Sequence, residues 1–192
     1  MSNLKSNQEN SAESDSPLYG VNQAITNLQQ PEDLSARYYA AWWLGRFRVN
    51  TPEAIEALLI ALHDELDRSP DGGYPLRRNS AKALGKLGNT EVVPNLIEGL
   101  QCDDYYVRES SVQALEMLGD TRAIPPLLAL LEDGVGRAQQ TPDKPHLLQP
   151  YEAIIEALGT LDAKEAVPLI EPFLTHFVEK VKYGAARAMY QL

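Results

Sequence analysis

The readiest chemistry in this chain belongs to three histidines, His63, His146 and His176, and to one cysteine, Cys102. The histidines are scattered, and one Cys cannot complete a zinc pattern, so no metal site is expected. Asp67, Ser69, Asp71 and Gly72 begin like a calcium loop, but the twelfth position is Arg78, where a bidentate Glu is needed. A solvated loop is the reading there. Gly134-Val135-Gly136 lacks a third Gly and follows no strand, which excludes a dinucleotide fold. Cys102 closes a helix beside Asp103 and Asp104. Two carboxylates and the negative end of a helix disfavour a thiolate, so this cysteine is expected to be inert.

Aromatic and cationic residues are more informative. Tyr38 and Trp42 stand four apart, on one face of one helix. Tyr74 and Tyr105 occupy equivalent positions beside Arg77 and Arg108, with Arg78 and Tyr106 adjoining. Asp103 with Arg108 also matches the Asp–Arg ladder that ties helical repeats together, a structural role.

The elements that must position these groups form a repeat. First helices open at Arg37, Arg77, Arg108, Tyr151 and Lys182, spaced 40, 31, 43 and 31 residues apart. The unit is about 31 residues, and alternate units carry an insertion. Ala81, Leu84, Leu87 and Val112, Leu115, Leu118 give the first helix its apolar stripe. Gly88 and Gly119 stand where it should stop. The second helix begins at a proline, as in Val93-Pro94, Ile124-Pro125-Pro126 and Val167-Pro168, where the missing N–H costs nothing. No segment reads as a strand. Such units bury their apolar faces only against neighbours, so the fold class is all-α, an α-solenoid of HEAT type.

In this alignment Tyr38 falls with Arg78, Glu109 and Glu152, and Trp42 with Lys82, Gln113 and Glu156. Trp43 falls with Ala83, Ala114 and Ala157. The first unit therefore shows aromatic surface where its siblings show charge. Either a helix over residues 17–30 caps it, or it meets a flat ligand or partner. The insertions, Asp64 to Tyr74 and Gly134 to Pro150, both precede a first helix and should project from one edge, a common site of binding.

Residues 1–16 are polar and read as a disordered tail, and residues 17–192 as the solenoid. The chain stops after one helix of a fifth unit, so the expectation is a C-terminally truncated fragment or an end covered by a partner. A net charge of -10 from 17 Lys+Arg against 27 Asp+Glu argues against nucleic acid and against an anionic membrane surface. No apolar run reaches transmembrane length, no signal peptide is present, and one cysteine excludes an internal disulfide framework. The expectation is a cytoplasmic protein.

Several longer runs resemble one family. They are Arg37 to Arg48 (RYYAAWWLGRFR), Gly72 to Asn79 (GGYPLRRN), Cys102 to Glu109 (CDDYYVRE), Leu115 to Asp120 (LEMLGD) and Lys144 to Glu152 (KPHLLQPYE). From about Leu34 to Leu192 the chain resembles the E-type (alpha) subunits of the heterodimeric phycocyanobilin lyase of cyanobacteria, built of lyase HEAT-like repeats. The resemblance implies an F-type partner subunit, phycocyanobilin as substrate rather than cofactor, and the apo phycocyanin alpha subunit as acceptor. The acceptor's cysteine adds to the ethylidene group of the bilin and forms a thioether, and the pair can also detach or transfer the bilin. A flat tetrapyrrole with two propionates calls for aromatic surface and cations. The candidates for holding bilin or acceptor are Tyr38, Trp42, Tyr74, Arg77, Arg78, Tyr105, Tyr106, Arg108, His146 and Tyr151. Two alternatives stay open: a non-catalytic HEAT-repeat adaptor or assembly chaperone, and the related subunit that acts on phycoerythrocyanin and isomerises the bilin.

Overall fold

The structure, a computed structural model, describes residues 17–132 and 149–192. The tail read over residues 1–16 and most of the second insertion, with His146, lie outside them. Among the described residues there are ten α-helices and no strand, and they form the solenoid that the repeat predicts.

Helix α1 (Pro17–Gln29) precedes the repeats. First helices are α2 (Leu34–Arg46), α4 (Pro75–Leu87), α6 (Tyr105–Leu118), α8 (Tyr151–Thr160) and α10 (Glu179–Gln191). Second helices are α3 (Pro52–Leu62), α5 (Val93–Gly99), α7 (Ile124–Leu131) and α9 (Val167–Ile170), the last three each entered through a 3-10 turn. Local chemistry sets the boundaries. Asp33, Thr51 and Asp104 accept N–H groups of the first turns of α2, α3 and α6. Gly88 and Gly119 end α4 and α6 with φ of 74° and 66°, the left-handed conformation that glycine adopts without strain. Pro52, Pro94, Pro125 and Pro168 sit in the first turn of the second helices, where no intrahelical N–H is lost.

One continuous core runs the length of the stack. Leu44, Leu84, Leu115 and Leu158 of successive first helices are fully buried against Leu58, Leu96, Leu127 and Ile170 of the second. Two further devices lock repeat to repeat. The first is close backbone approach: a Cβ on Gly45 would lie 2.7 Å from the Cα of Ala83, one on Gly85 2.6 Å from that of Ala114, and one on Gly159 3.2 Å from that of Ala188. In the third unit the equivalent slot is Glu116, whose Oε1 accepts from Thr160 Oγ1 at 2.8 Å. A side chain of that size does not fit the close approach, and α6 meets α8 less extensively than α4 meets α6.

The second device is an arginine in the first turn of α2, α4 and α6. Arg37 donates to Leu28 O at 3.1 Å and pairs with Asp64 at 2.6 Å. Arg77 donates to the carbonyls of His63 and Asp64, and Arg108 to those of Cys102 and Asp103. Each guanidinium thus satisfies carbonyls left open at the end of a preceding helix. Burial would raise the Asp64 carboxyl, but Arg37 and the N–H groups of Asp67 and Leu66 outweigh it and hold it below the ordinary carboxylate range.

The glycine contacts set a paired expectation. Gly85→Ala should destabilise the chain by about 1–3 kcal/mol, because backbone rather than a flexible side chain stands in the way. Gly184→Ala, inside α10 with only Glu152 and Glu156 side chains 3.9–4.0 Å away, should stabilise it by about 0.5–1 kcal/mol. Urea unfolding of both variants checks the signs, and equal effects would refute the close-approach account.

Candidate functional site

At the starts of α6 and α8 a cleft of about 1020 Å³ opens at the edge of the stack. Arg68 to Gly73 of the first insertion line one side and Gln149, at the end of the second, lines another, so both insertions reach the same edge. The start of α6 contributes Tyr105, Tyr106 and Glu109, α8 contributes Tyr151 and Glu152, and the entry to α10 contributes His176, Phe177 and Lys180. A smaller pocket of about 150 Å³ adjoins it between α2, α4 and α6, lined by Tyr38, Arg78, Lys82, Tyr106 and Glu109 among others. Arg78, Tyr106 and Glu109 border both spaces. The two therefore form one surface, running from the first repeat to the fifth along the slots that the alignment identifies as solvent-facing.

The candidate residues divide by position. Tyr38 and Trp42 are exposed, at 46% and 39%, and Trp42 lies 5.3 Å from the exposed ring of Tyr39. Helix α1 does not cover them. It takes Trp43 instead: a Cβ on Gly20 would lie 2.9 Å from the Trp43 ring, so that glycine lets the indole lie against the α1 backbone. The cap and the exposed patch, posed as alternatives by the sequence, are both present on different faces of α2. Arg78 lies over the Tyr106 ring at 5.0 Å, and Tyr106 is exposed. Tyr105 packs edge-on to Tyr106 at 5.3 Å, and its hydroxyl is pushed up to about 12 by burial and by the carboxylates of Glu109 and Glu152.

The others are part of the framework. Tyr74 is buried, with Arg77 at 4.1 Å and Arg68 at 5.1 Å from its ring. Its N–H donates to Asp104 Oδ2 at 2.7 Å, which ties the second repeat to the cap of the third. Arg77 and Arg108 are the carbonyl-binding arginines described above, and the Asp103–Arg108 contact is made to the backbone oxygen rather than to the carboxylate. Their positions place these three side chains in the structure that carries the surface, not on it. Tyr151 is buried against Phe173, with ring centroids 5.0 Å apart, and reaches the cleft wall.

Sequence reasoning missed Glu109, Glu152, His176 and Phe177. The first two were legible as polar slots of the alignment and passed as solvated charge. His176 is buried between Phe173 and Phe177, and its Nδ1 accepts the Val178 N–H at 3.1 Å. The signal was an apolar Val178 at the slot where Asp104 caps α6, which leaves α10 without a side-chain cap. Cys102 is half-buried, with Asp103 Oδ1 at 3.6 Å and Arg77 Nη1 at 3.9 Å. Its thiol is pushed up, as expected, but chiefly by burial. Asp103 adds to the shift, while Arg77 and the Asp104 N–H oppose it. Among the described residues no group of three or more His, Cys, Asp or Glu is placed to hold a metal ion, and no helix is long and apolar enough to cross a membrane.

Comparison with known proteins places this surface in a family. Residues 36–64 match the PBS lyase HEAT-like repeat and residues 66–141 match HEAT repeats. The phycocyanobilin lyase subunit alpha of Synechocystis sp. is 68% identical over 176 residues, covering 92% of this chain and 65% of that protein. The bilin biosynthesis protein PecE of Nostoc sp. is 48% identical over 177 residues, covering 92% of this chain and 64% of its own length. The solved complex of CpcE and CpcF of phycocyanin lyase from Nostoc sp. contains a chain that is 56% identical. It superposes with a TM-score of 0.83, over 98% of this chain and 70% of that one. The chain spans about 65% of the length of the curated relatives it matches. With that identity along nearly all of its described residues, it belongs to the family of phycocyanobilin lyase alpha subunits.

Proposed function

We propose that this chain acts in a bilin lyase that joins phycocyanobilin to a cysteine of the phycocyanin alpha subunit, working with an F-type partner. The observation that carries the reading is the surface itself. In a member of this family, an exposed Tyr38, Tyr39 and Trp42 cluster runs into the cations Arg78 and Lys82 and on to Tyr106. Flat aromatic area suits the rings of a tetrapyrrole, and the cations suit its propionates. The chemistry asks little of the protein as a nucleophile. The acceptor's thiol adds across the exocyclic ethylidene double bond: a C–S bond forms, the C=C π bond is lost, and the thiol proton ends on the ring carbon. Detachment is the same step reversed. The protein's part is to hold the bilin in one orientation next to one thiol, which by itself accounts for a large rate gain.

The test is co-expression with a bilin pathway, an F-type subunit and apo phycocyanin alpha subunit, read as covalent colour on the acceptor. Attachment is expected with the partner and absent without it. A colourless acceptor in the complete system favours a non-catalytic adaptor, and an isomerised chromophore favours the phycoerythrocyanin-type activity. Full attachment by this chain alone would remove the requirement for a partner.

Trp42→Ala should lower attachment more than stability. At 39% exposure the indole contributes little core, so the variant should lose no more than about 1 kcal/mol, against about 3–5 kcal/mol for a buried large aromatic. Melting and attachment assays on the same preparation separate the two.

Cys102 should stand outside the reaction. A raised thiol carries less thiolate at neutral pH than free cysteine does, so alkylation by iodoacetamide at pH 7.5 should be slower than for free cysteine. The rate should keep climbing above pH 9. Cys102→Ser should leave attachment close to wild type. An acid-stable bilin adduct on the unsubstituted chain, lost in a folded Cys102→Ser protein, would make it a covalent carrier.

A further inference from the structure

Glu109 is a half-buried carboxyl on α6 that the account so far does not use. It borders both the cleft and the smaller pocket, together with Arg78 and Tyr106. Among the described residues it makes no hydrogen bond and no ion pair, although cations stand nearby. Lys180 is paired with Glu152 at 3.7 Å, and the Arg78 guanidinium lies over the Tyr106 ring. Lys82 on α4 acts on it from beyond ion-pair distance, while Glu152 on α8 opposes its charge. Tyr105, on the same helix, stays neutral with its hydroxyl pushed up to about 12. Burial pushes the Glu109 carboxyl up and the three cations pull it back, with burial the stronger. A ligand laid over it would bury it further and strip more water from it. A carboxylate in that position needs a proton or a cation from the ligand.

The cleft as a whole asks for the same thing. Among the described residues five carboxylates and three cationic side chains line it, so these groups disfavour an additional negative charge there and favour a positive one. A linear tetrapyrrole offers a fitting group, because one of its four ring nitrogens is imine-like and basic. Protonation there gives a cation spread over the conjugated system. We infer that Glu109 is the counter-ion of a bound tetrapyrrole, holding the proton of the ligand's ring nitrogens between the aromatic surface of the first repeats and the cleft. The propionates then lie away from the cleft, toward Lys82 and the exposed aromatic face. This inference rests on the bilin reading above and assigns an orientation to it.

The experiment titrates phycocyanobilin into the purified full chain, alone and with the F-type subunit, and records visible absorption at neutral pH. Protonated bilins absorb further to the red and more strongly in the long-wavelength band than neutral ones, so the spectrum reports the proton directly. The unsubstituted chain should show the red-shifted band. Glu109→Gln should lose it and bind about tenfold more weakly, as expected for loss of one charge-assisted contact. Glu109→Asp should keep the band in part, and Glu53→Gln, on the exposed face of α3 away from the cleft, should keep it fully. Because Glu109 has no partner to lose among the described residues, Glu109→Gln should melt no lower than the unsubstituted chain, which separates a ligand contact from a folding defect. A red-shifted band that persists in Glu109→Gln overturns the inference, as does a neutral-bilin spectrum on the unsubstituted chain, and both leave the bilin reading intact. Absence of any bilin binding by the unsubstituted chain, with or without the partner, overturns both.

Discussion

The architecture depends on how closely two first helices can approach. Gly45 against Ala83, Gly85 against Ala114 and Gly159 against Ala188 bring backbone within van der Waals contact of backbone, a distance that only the absence of a side chain permits. Where this holds, neighbouring first helices pack backbone to backbone at that end. Between the third and fourth repeats the slot carries Glu116, which bonds Thr160 near the ends of α6 and α8, while the cleft lies at the starts of those helices. The insertions line the opened edge, and the polar slots of the first helices pave the surface that leads to it.

The fold was legible in the sequence because it is repeated. A slot seen four or five times reports its environment by its variation: Leu84, Leu115 and Leu158 share one slot and are all buried, while Tyr38, Arg78, Glu109 and Glu152 share another and face outward. The same logic found the aromatic anomaly of the first repeat. It could not say that α1 would take Trp43 and leave Trp42 exposed, since that depends on a glycine at position 20 in a helix outside the repeat register.

The site was less legible, for a different reason. Arginine next to tyrosine reads as ligand-binding chemistry, and Tyr74, Arg77 and Arg108 carry that pattern. Their side chains are instead directed by the free carbonyls at the ends of the helices before them, which no residue type announces. Glu109 failed in the opposite direction. A carboxylate among charged siblings looks solvated, and only the junction of two pockets shows that it is half-covered. Residue type was a good guide to burial here and a poor one to which polar group is already engaged.

The arginine contacts also give the stack a direction. Arg37 reaches back to Leu28, Arg77 to His63 and Asp64, Arg108 to Cys102 and Asp103: in every case the guanidinium belongs to the later segment and the carbonyls to the earlier one. A chain leaving the ribosome therefore presents each arginine after these carbonyls have emerged, although the Asp64 carboxylate that pairs with Arg37 follows 27 residues later. Arg77 docks on carbonyls already in place, whereas Arg37 completes its ion pair only when the first insertion arrives. For these carbonyl contacts the order of synthesis and the order of assembly coincide.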